Sequence, residues 1–359
     1  MTPRRILVTG GAGFVGSALA LRARTAWPDA EVTALDNLRR RGSELNLARL
    51  RDAGVAFVHG DIRHPADLAP LGRDLDLLLE CSAEPSVLAG YDGDPSYVID
   101  TNLGGTVHCL ELARRASAAV VFLSTSRVYP IAALNEIATD EAGTRFEIGP
   151  SQAMTGIGSD GISEDFPLAG VRSLYGTTKL ASEMLVAEYR AAFGLRAIVN
   201  RCGVLAGPWQ MGKVDQGVFS LWMARHLSGA PLTYNGWGGL GKQVRDLLHV
   251  DDLADLIEVQ VDRLEALDGS TFNVGGGRPC SLSLLETTDL CRALTGRETV
   301  ITPSPATRVA DIKLYLTDNR QVTAATGWQP RRSARDVLSD LHQWLVEYRA
   351  PLQRAGVVD

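Results

Sequence analysis

The chain has 359 residues, of which 45% are hydrophobic and 22% charged, and its formal net charge is −6. The acidic balance argues against a protein that binds nucleic acid through its phosphates, and no apolar run is long enough to span a membrane. Five scattered cysteines without a Cys-x-x-Cys pair predict free thiols in a reducing, cytoplasmic compartment. Six histidines without clustered spacing predict no metal site.

Short apolar runs alternate with helical patterns through the first half of the chain. Strands are predicted at residues 6–9, 31–36, 56–59, 76–81, 119–124 and 195–201. Helices are predicted at residues 14–26, near 44–52, near 97–116 and at 175–193. Strands followed by helices at this spacing predict a parallel sheet that is covered on both faces.

The pattern is less regular in two places. Residues 130–172 are polar and rich in Gly, Ser and Asp, and predict a long functional or mobile loop. Residues 203–239 are rich in glycine and contain Trp209, Trp222 and Trp237. We interpret this second segment as part of a smaller region that covers a substrate.

The strongest local motif is Thr-Gly-Gly-Ala-Gly-Phe-Val-Gly, which follows the first strand and opens the first helix. Gly10 permits the tight turn, Gly13 allows a pyrophosphate to approach the backbone, and Gly16 allows the helix to pack closely on the strand. The N-terminus of the helix then offers N–H groups and a positive dipole end to the phosphates. In this strand–loop–helix context the motif predicts a dinucleotide site in a Rossmann-type domain.

Asp36 ends the second strand about 20 residues beyond the glycines, where an acidic residue binds the adenosine ribose. Its charge would repel a 2′-phosphate, so NAD is favoured over NADP. Arg39, Arg40 and Arg41 follow closely and could either accommodate a 2′-phosphate or form a solvated loop. We therefore expect an NAD-binding domain at residues 1–200, with later returns to it at about 243–275.

Tyr175 and Lys179 form a Tyr-x-x-x-Lys motif at the start of a helix, which places both side chains on one helix face. The lysine ammonium can lower the pKa of the tyrosine, which is otherwise a poor base, and can hold the nicotinamide ribose. Thr125 lies at the carboxyl end of a central strand, the edge where such sheets bind ligands. We predict that Thr125 hydrogen-bonds a substrate hydroxyl and the phenol.

Together these motifs resemble those of the extended short-chain dehydrogenase/reductases, in the nucleotide-sugar epimerase superfamily, almost from end to end. The resemblance implies an α/β fold, a Rossmann-type doubly wound parallel sheet with a smaller, interleaved C-terminal substrate-binding region. That region would occupy mainly residues 201–359. It also implies a nucleotide-sugar substrate, NAD as cofactor, and a homodimer or homotetramer built on helices 97–116 and 175–193.

The resemblance assigns roles residue by residue. The expected catalytic residues are Thr125, Tyr175 and Lys179. The expected cofactor-binding residues are Gly10, Gly13, Phe14, Val15, Gly16, Asp36, Asn37, Arg40, Asp61, Ile62, Ser82, Ala83, Asn102, Tyr175 and Lys179. The expected substrate-binding residues are Thr125, Arg127, Gln216, Arg245, Arg308 and Asp311.

Within the superfamily, several stretches resemble the tyvelose-type 2-epimerases of CDP-hexoses. These are residues 36–42, 163–168, 215–217, 241–246, 273–276 and 281–286. The sequence departs at residues 80–84, Glu-Cys-Ser-Ala-Glu, where many relatives have His-Leu-Ala-Ala-Gln. It also departs at Trp209, where the tyvelose-type enzyme has Arg. We expect both departures to line the sugar pocket.

The residues after Thr125 bear on the reaction. Sugar 4,6-dehydratases of this superfamily carry Asp-Glu there, for acid–base elimination, whereas this chain carries Ser126 and Arg127. The resemblance therefore favours 2-epimerisation of a CDP-hexose, through transient oxidation to a keto-sugar and re-reduction, with CDP favoured over UDP. A nucleotide-sugar 4-epimerase or another NAD-dependent modifying enzyme is the alternative. A Rossmann-fold regulatory protein is the non-enzyme alternative, although it would not need Tyr175 and Lys179.

Overall fold

The computed structural model describes residues 1–91, 93–212 and 217–358. The strands of this part of the chain are β1 (Arg5–Thr9), β2 (Glu31–Asp36), β3 (Ala56–His59), β4 (Leu77–Glu80), β5 (Ala119–Thr125), β6 (Thr139–Ala142), β7 (Arg145–Ile148), β8 (Ile157–Gly158), β9 (Gly161–Ile162), β10 (Ala197–Cys202), β11 (Val204–Ala206), β12 (Leu232–Asn235), β13 (Val244–His249), β14 (Thr271–Val274), β15 (Ser281–Ser283), β16 (Ile301–Ser304) and β17 (Leu314–Tyr315). Its α-helices are α1 (Phe14–Ala26), α2 (Asn46–Asp52), α3 (Pro65–Leu68), α4 (Ser96–Ile99), α5 (Gly105–Ala116), α6 (Ile131–Asn135), α7 (Leu174–Phe193), α8 (Val218–Ser228), α9 (Val250–Asp262), α10 (Leu264–Leu267), α11 (Leu284–Thr295), α12 (Arg320–Thr326), α13 (Ala334–Glu347) and α14 (Arg349–Arg354).

Seven strands form a parallel sheet in the order β14-β10-β5-β4-β1-β2-β3. The chain runs outward from β1 through β2 to β3 and then returns to place β4 on the other side of β1. The strand order therefore reverses between β1 and β4. In open sheets of this kind, ligands bind outside the carboxyl ends of the strands at such a reversal. The predicted Rossmann-type, doubly wound sheet is confirmed.

Each face of the sheet packs against its own layer of helices, because these strands are apolar on both faces. One core joins Val8 of β1 to Leu19 of α1 and Leu256 of α9. The other core joins Phe122 of β5 to Leu110 of α5 and Val186 of α7. The two helix layers hold the strands in place. They thereby set where the carboxyl ends of the strands lie and where α1 and α7 begin.

A second sheet lies in the later part of the chain, where β11 and β15 flank β13 and β17 also pairs with β13. Its apolar side chains pack with α8, α11 and α13, through Phe219, Trp222, Cys291 and Leu338. Strand β14, by contrast, returns to the edge of the first sheet beside β10. The two parts of the chain are therefore interleaved rather than sequential.

One local prediction was wrong. Residues 130–172 are not an irregular loop, because α6 and the pairs β6–β7 and β8–β9 lie within them. Buried Tyr129, Ile162 and Phe166 give this segment a core of its own. The helix predicted near 97–116 is confirmed: α4, a π-helical segment at Asp100–Gly104 and α5 follow one another without a break. Within the described residues, no helix is long and apolar enough to cross a membrane.

Candidate active site

The glycine loop joins β1 to α1 and lines a cavity of about 640 Å³. Gly10 has a positive φ of 63°, and a Cβ there would lie 3.0 Å from the carbonyl oxygen of Cys81. A Cβ on Gly16 would overlap the carbonyl oxygen of Gly10. Glycine is required at both positions. Gly10 adopts the left-handed conformation, and Gly16 allows α1 to pack closely on the loop.

Gly10, Gly13, Phe14, Val15 and Gly16 all line this cavity. Gly13 is the N-cap of α1, and no side chain of the described residues caps that end. The unpaired N–H groups of the first turn and the positive end of the helix dipole therefore remain for an anionic group.

Asp36 lies on the same cavity, at the end of β2. Its carboxylate accepts hydrogen bonds from the backbone N–H groups of Ala12, at 3.1 Å, and Leu38, at 2.8 Å. Burial raises the pKa of Asp36, while these hydrogen bonds lower it. The two bonds hold the carboxylate beside the glycine loop, where a ribose would lie.

The far end of the cavity is lined by Asn37, Arg40, Asp61 and Ile62. The Asn37 amide donates to Asp61 at 2.9 Å, and Asp61 also pairs with Arg63 at 2.7 Å. Hydrogen bonds from Arg63 and Asn37 hold the pKa of Asp61 well below its ordinary value. Arg40 donates to the carbonyl of Met211, which brings the segment before α8 onto the same wall.

Ser82 and Ala83 line the cavity after β4, as does Glu84. Asn102, however, is fully buried behind this wall. Its side-chain carbonyl oxygen accepts a hydrogen bond from the Glu84 N–H at 2.8 Å. Its side-chain NH₂ group donates to the Glu84 backbone carbonyl and to the Thr178 hydroxyl. The prediction that Asn102 contacts the cofactor needs correction, because its polar atoms are used to fasten the residue 82–84 loop to α7.

Tyr175 lies in the first turn of α7. Ser173 precedes this helix as its N-cap, and its hydroxyl accepts a hydrogen bond from the Gly176 N–H. Thr125 lies at the carboxyl end of β5, and its hydroxyl hydrogen-bonds Tyr175. Burial raises the pKa of Tyr175 to about 12, against the lowering effects of the Thr125 hydroxyl and the Arg127 guanidinium. The structure therefore brings Thr125 and Tyr175 together, as the sequence predicted.

Lys179 is paired with another residue in this structure. Its Nζ lies 3.7 Å from a carboxylate oxygen of Glu80, and both side chains are buried. The same Nζ lies 3.9 Å from the centre of the Phe122 ring. The guanidinium of Arg127 lowers the pKa of Tyr175, and the effect of Lys179 on the phenol stays a prediction.

A second cavity, of about 320 Å³, adjoins the first at Gly217, which lines both. Arg127, Arg245, Arg308 and Asp311 all lie on its wall. Arg245 pairs with Asp311 at 3.0 Å, and burial lowers the pKa of Arg245 to about 10. Three guanidinium groups on one wall suit a diphosphate. Gln216, also predicted to bind substrate, lies outside the described residues.

Sequence reasoning placed Trp209 and Glu84 in the sugar pocket, and the structure corrects the first. Trp209 packs against Trp344 and Tyr348, with the Arg49 guanidinium over its ring, and so belongs to the core under the second sheet. Glu84 lines the first cavity, and its place beside a sugar stays a prediction.

Some cavity residues were missed altogether. Arg225, Asn235 and Gln243 lie on the second cavity, and Tyr97 on the first. Asn235 ends β12 and Gln243 directly precedes β13, so a polar residue at a strand end was the available signal for both. For Arg225 and Tyr97 the sequence carries no such signal.

The sequence from residue 6 to residue 275 matches the family model described as "NAD dependent epimerase/dehydratase family". The chain belongs to this family. Its cofactor is NAD, and the first cavity fits it: α1 presents a free N-terminus, the glycines leave room for the pyrophosphate, and Asp36 lies at the ribose end. The members are enzymes that act on nucleotide sugars.

Individual relatives include both epimerases and dehydratases. The chain is 30% identical over 351 residues to a CDP-paratose 2-epimerase of Salmonella typhi, covering 95% of this chain and 98% of the relative. It is 30% identical over 261 residues to a dTDP-glucose 4,6-dehydratase of Mycobacterium tuberculosis, covering 72% and 69%. A dTDP-glucose 4,6-dehydratase from Streptomyces venezuelae, solved with NAD bound, superposes with a TM-score of 0.77 at 27% identity, covering 98% and 99%.

Proposed function

We propose that this chain is an NAD-dependent epimerase that inverts C2 of a CDP-linked hexose. The observation that carries the proposal is the pair of side chains after Thr125. Ser126 is buried, and Arg127 reaches the wall of the second cavity, where its guanidinium donates to the Ala310 carbonyl at 3.2 Å. Neither can serve as the carboxylate acid or base of a 4,6-elimination, so oxidation and re-reduction at one carbon is the chemistry that these residues support.

The relative from Salmonella typhi supports the choice of CDP and of C2, because its similarity extends over almost the whole of both chains. Dehydratase relatives also match over more than nine tenths of both chains, so the choice against dehydration rests on the residues after Thr125.

In the proposed mechanism, Tyr175 accepts the proton of the sugar hydroxyl that Thr125 orients. Bound NAD supplies the hydride acceptor and donor. Burial disfavours the phenolate, whereas the Arg127 guanidinium and the Thr125 hydroxyl favour it. Tyr175 then returns the proton when the keto-sugar has been reduced on its opposite face. Lys179, which pairs with Glu80 in this structure, is proposed to hold the nicotinamide ribose when the cofactor is bound.

The substrate's nucleotide is proposed to lie in the second cavity. Arg245 and Arg308 would bind the diphosphate, Asp311 would bind a hydroxyl, and Gln216 and Arg127 would contact the sugar side. Residues 201–359 would thus be mainly the substrate-binding region, and residues 1–200 the NAD-binding domain, with the return at about 243–275. We also propose a cytoplasmic homodimer or homotetramer.

The remaining proposed cofactor ligands keep the roles that the sequence suggested. They are Gly10, Gly13, Phe14, Val15, Gly16, Asp36, Asn37, Arg40, Asp61, Ile62, Ser82 and Ala83.

An isotope experiment tests the carbon that reacts. The holoenzyme is incubated with CDP-hexose deuterated at C2 and, separately, at C4. We expect a 2-epimer that retains the C2 label, because the hydride passes through NAD rather than through water. A kinetic isotope effect with the C4 label and none with the C2 label would instead identify a 4-epimerase. Loss of the C2 label to solvent would rule out hydride transfer, and conversion of UDP-hexoses alone would rule out CDP.

A further inference from the structure

Glu80 is a buried acid whose position neither the proposed mechanism nor the fold requires. It ends β4 directly after three buried leucines, and 1% of its side chain is exposed. Neither carboxylate oxygen accepts a hydrogen bond of ordinary geometry among the described residues, although the Ser82 backbone N–H and the Lys179 ammonium lie near enough to lower its pKa. Its one close charged group is the Lys179 ammonium, at 3.7 Å, which is beyond hydrogen-bond length.

Such a pair contributes little to stability. A buried carboxylate is costly unless it is both paired and hydrogen-bonded, and apolar replacements of buried ion pairs are often neutral or stabilising. A leucine after Leu77–Leu79 would continue the apolar strand. The acid therefore points to a role in the site, and the lysine that it holds is the predicted partner of Tyr175.

The groups around Glu80 limit which charges matter. Tyr175 and Lys179 face it from α7 and Cys109 from α5, and Cys81 follows it in the chain. Cys202 of β10 lies near Lys179. Burial raises the pKa of all three thiols, that of Cys202 to about 12, so they stay neutral. The groups near the phenol that can carry charge are then Lys179, Arg127 across the site, and Glu80, whose pKa burial raises and the Lys179 ammonium lowers.

Glu80 acts on Tyr175 directly as well as through the lysine. Its negative charge raises the pKa of the phenol, opposite in sign to the effect of Arg127. Its pairing with Lys179 cancels the positive charge that this position would otherwise direct at the tyrosine.

We propose that Glu80 is a positioning residue that holds the Lys179 ammonium in a buried ion pair and thereby restrains proton loss from Tyr175. Lys179 is then shared between Glu80 and the cofactor ribose. Tyr175 keeps its proton until Arg127 and the bound cofactor favour its release. The role rests on the proposed catalytic use of Tyr175.

The ionisation of Tyr175 can be measured without substrate. Protein loaded with NAD and labelled at tyrosine Cζ with ¹³C is titrated by NMR, and the Tyr175 resonance is assigned with Tyr175→Phe. In Glu80→Gln the resonance should begin to titrate about one pH unit lower than in the wild type, because removal of a nearby like charge favours the phenolate. Glu80→Asp, which keeps the charge, should stay close to the wild type.

Asp252→Asn is the matched control. Asp252 is also a buried acid in an ion pair, with Arg332 at 2.6 Å, but it lies on α9 and lines neither cavity. Its variant should lose stability and leave the Tyr175 titration unchanged. If Glu80→Gln does not fold, Glu80→Ser, which leaves space for water beside Lys179, replaces it.

An unchanged Tyr175 titration in a folded Glu80 variant that lacks the charge would overturn the proposal, and so would an equal shift in Asp252→Asn. The same displacement is expected in the pH profile of kcat/KM, measured with whichever nucleotide sugar the enzyme converts. If CDP-hexoses do not react but the NMR titration shifts, the proposed function fails while the role of Glu80 stands.

Discussion

Replacing Gly10 by alanine should separate the conformational and steric demands of the cofactor loop. Gly10 has a φ of +63°, and an added Cβ would lie 3.0 Å from Cys81 O, 3.1 Å from Cys81 C and 3.1 Å from Ser82 Cα. All three atoms are backbone, so the strand ends must move apart by a few tenths of an ångström. Since Cys81 and Ser82 line the cofactor cavity, that movement reaches the NAD site.

Gly194→Ala is the control that measures the conformational cost without the steric one. Gly194 ends α7 with a nearly equal φ of +68°, and no heavy atom lies within 4 Å of the position that a Cβ would take. Its substitution should cost about 1–2 kcal/mol, the penalty of the left-handed conformation. Gly10→Ala should cost this amount plus roughly 1–3 kcal/mol for overpacking.

Thermal unfolding with and without added NAD, together with the NAD content of the purified proteins, measures both effects. We expect Gly194→Ala to keep NAD and Gly10→Ala to bind it at least about tenfold more weakly, equivalent to about 1.4 kcal/mol. Equal losses of stability in the two variants, with full NAD content in both, would refute the argument from close approach.

Purified wild-type protein should carry NAD without addition, because the proposed cycle regenerates it; release by denaturation and identification by mass would reveal NADP if the inference from Asp36 is wrong. Tyr175→Phe should reduce kcat by roughly 10²–10⁴-fold while NAD content stays unchanged, since only general-base catalysis is removed; a loss below tenfold would argue against Tyr175 as the base. Arg245→Ala should raise KM by about 10–100-fold with little change in kcat, as expected for lost charge-assisted hydrogen bonds to phosphate; an unchanged KM would place the phosphates elsewhere. Met184 and Phe193 expose 65% and 56% of their surface on α7, so light scattering should detect an assembly larger than a monomer; Met184→Lys should weaken it, and a monomeric wild type would contradict the prediction.

The cofactor half of the site was predictable because its determinants are local in sequence. Gly10, Gly13 and Gly16 meet their requirements within one strand–loop–helix unit, and Asp36 ends the very next strand. The parallel sheet was predictable for the same reason, because the alternation of strands and helices is also a local pattern in the sequence. The second sheet was not predictable, because β11, β13, β15 and β17 are short strands from distant parts of the chain.

Residues that act through a distant partner were harder to predict. Asn102 was assigned to the cofactor because it belongs to a motif, but its amide bonds Glu84 and Thr178, which are 18 and 76 positions away. Trp209 was assigned to the sugar pocket from its place in the sequence. Its ring instead meets Trp344 and Tyr348, more than 130 positions later, and this packing decides where the side chain points.

The Tyr175–Lys179 couple shows most clearly where reasoning from sequence ends. A spacing of four on a helix fixes that both side chains share a face, and this much holds in α7. It does not fix which group lies against that face. In the folded chain β4 places the Glu80 carboxylate 3.7 Å from the lysine ammonium, and burial raises the pKa of Tyr175 to about 12. The strength of the base therefore depends on burial, on Thr125 at the end of β5, on Arg127 just after it and on Glu80 at the end of β4, and these two strands are neighbours only in the folded sheet.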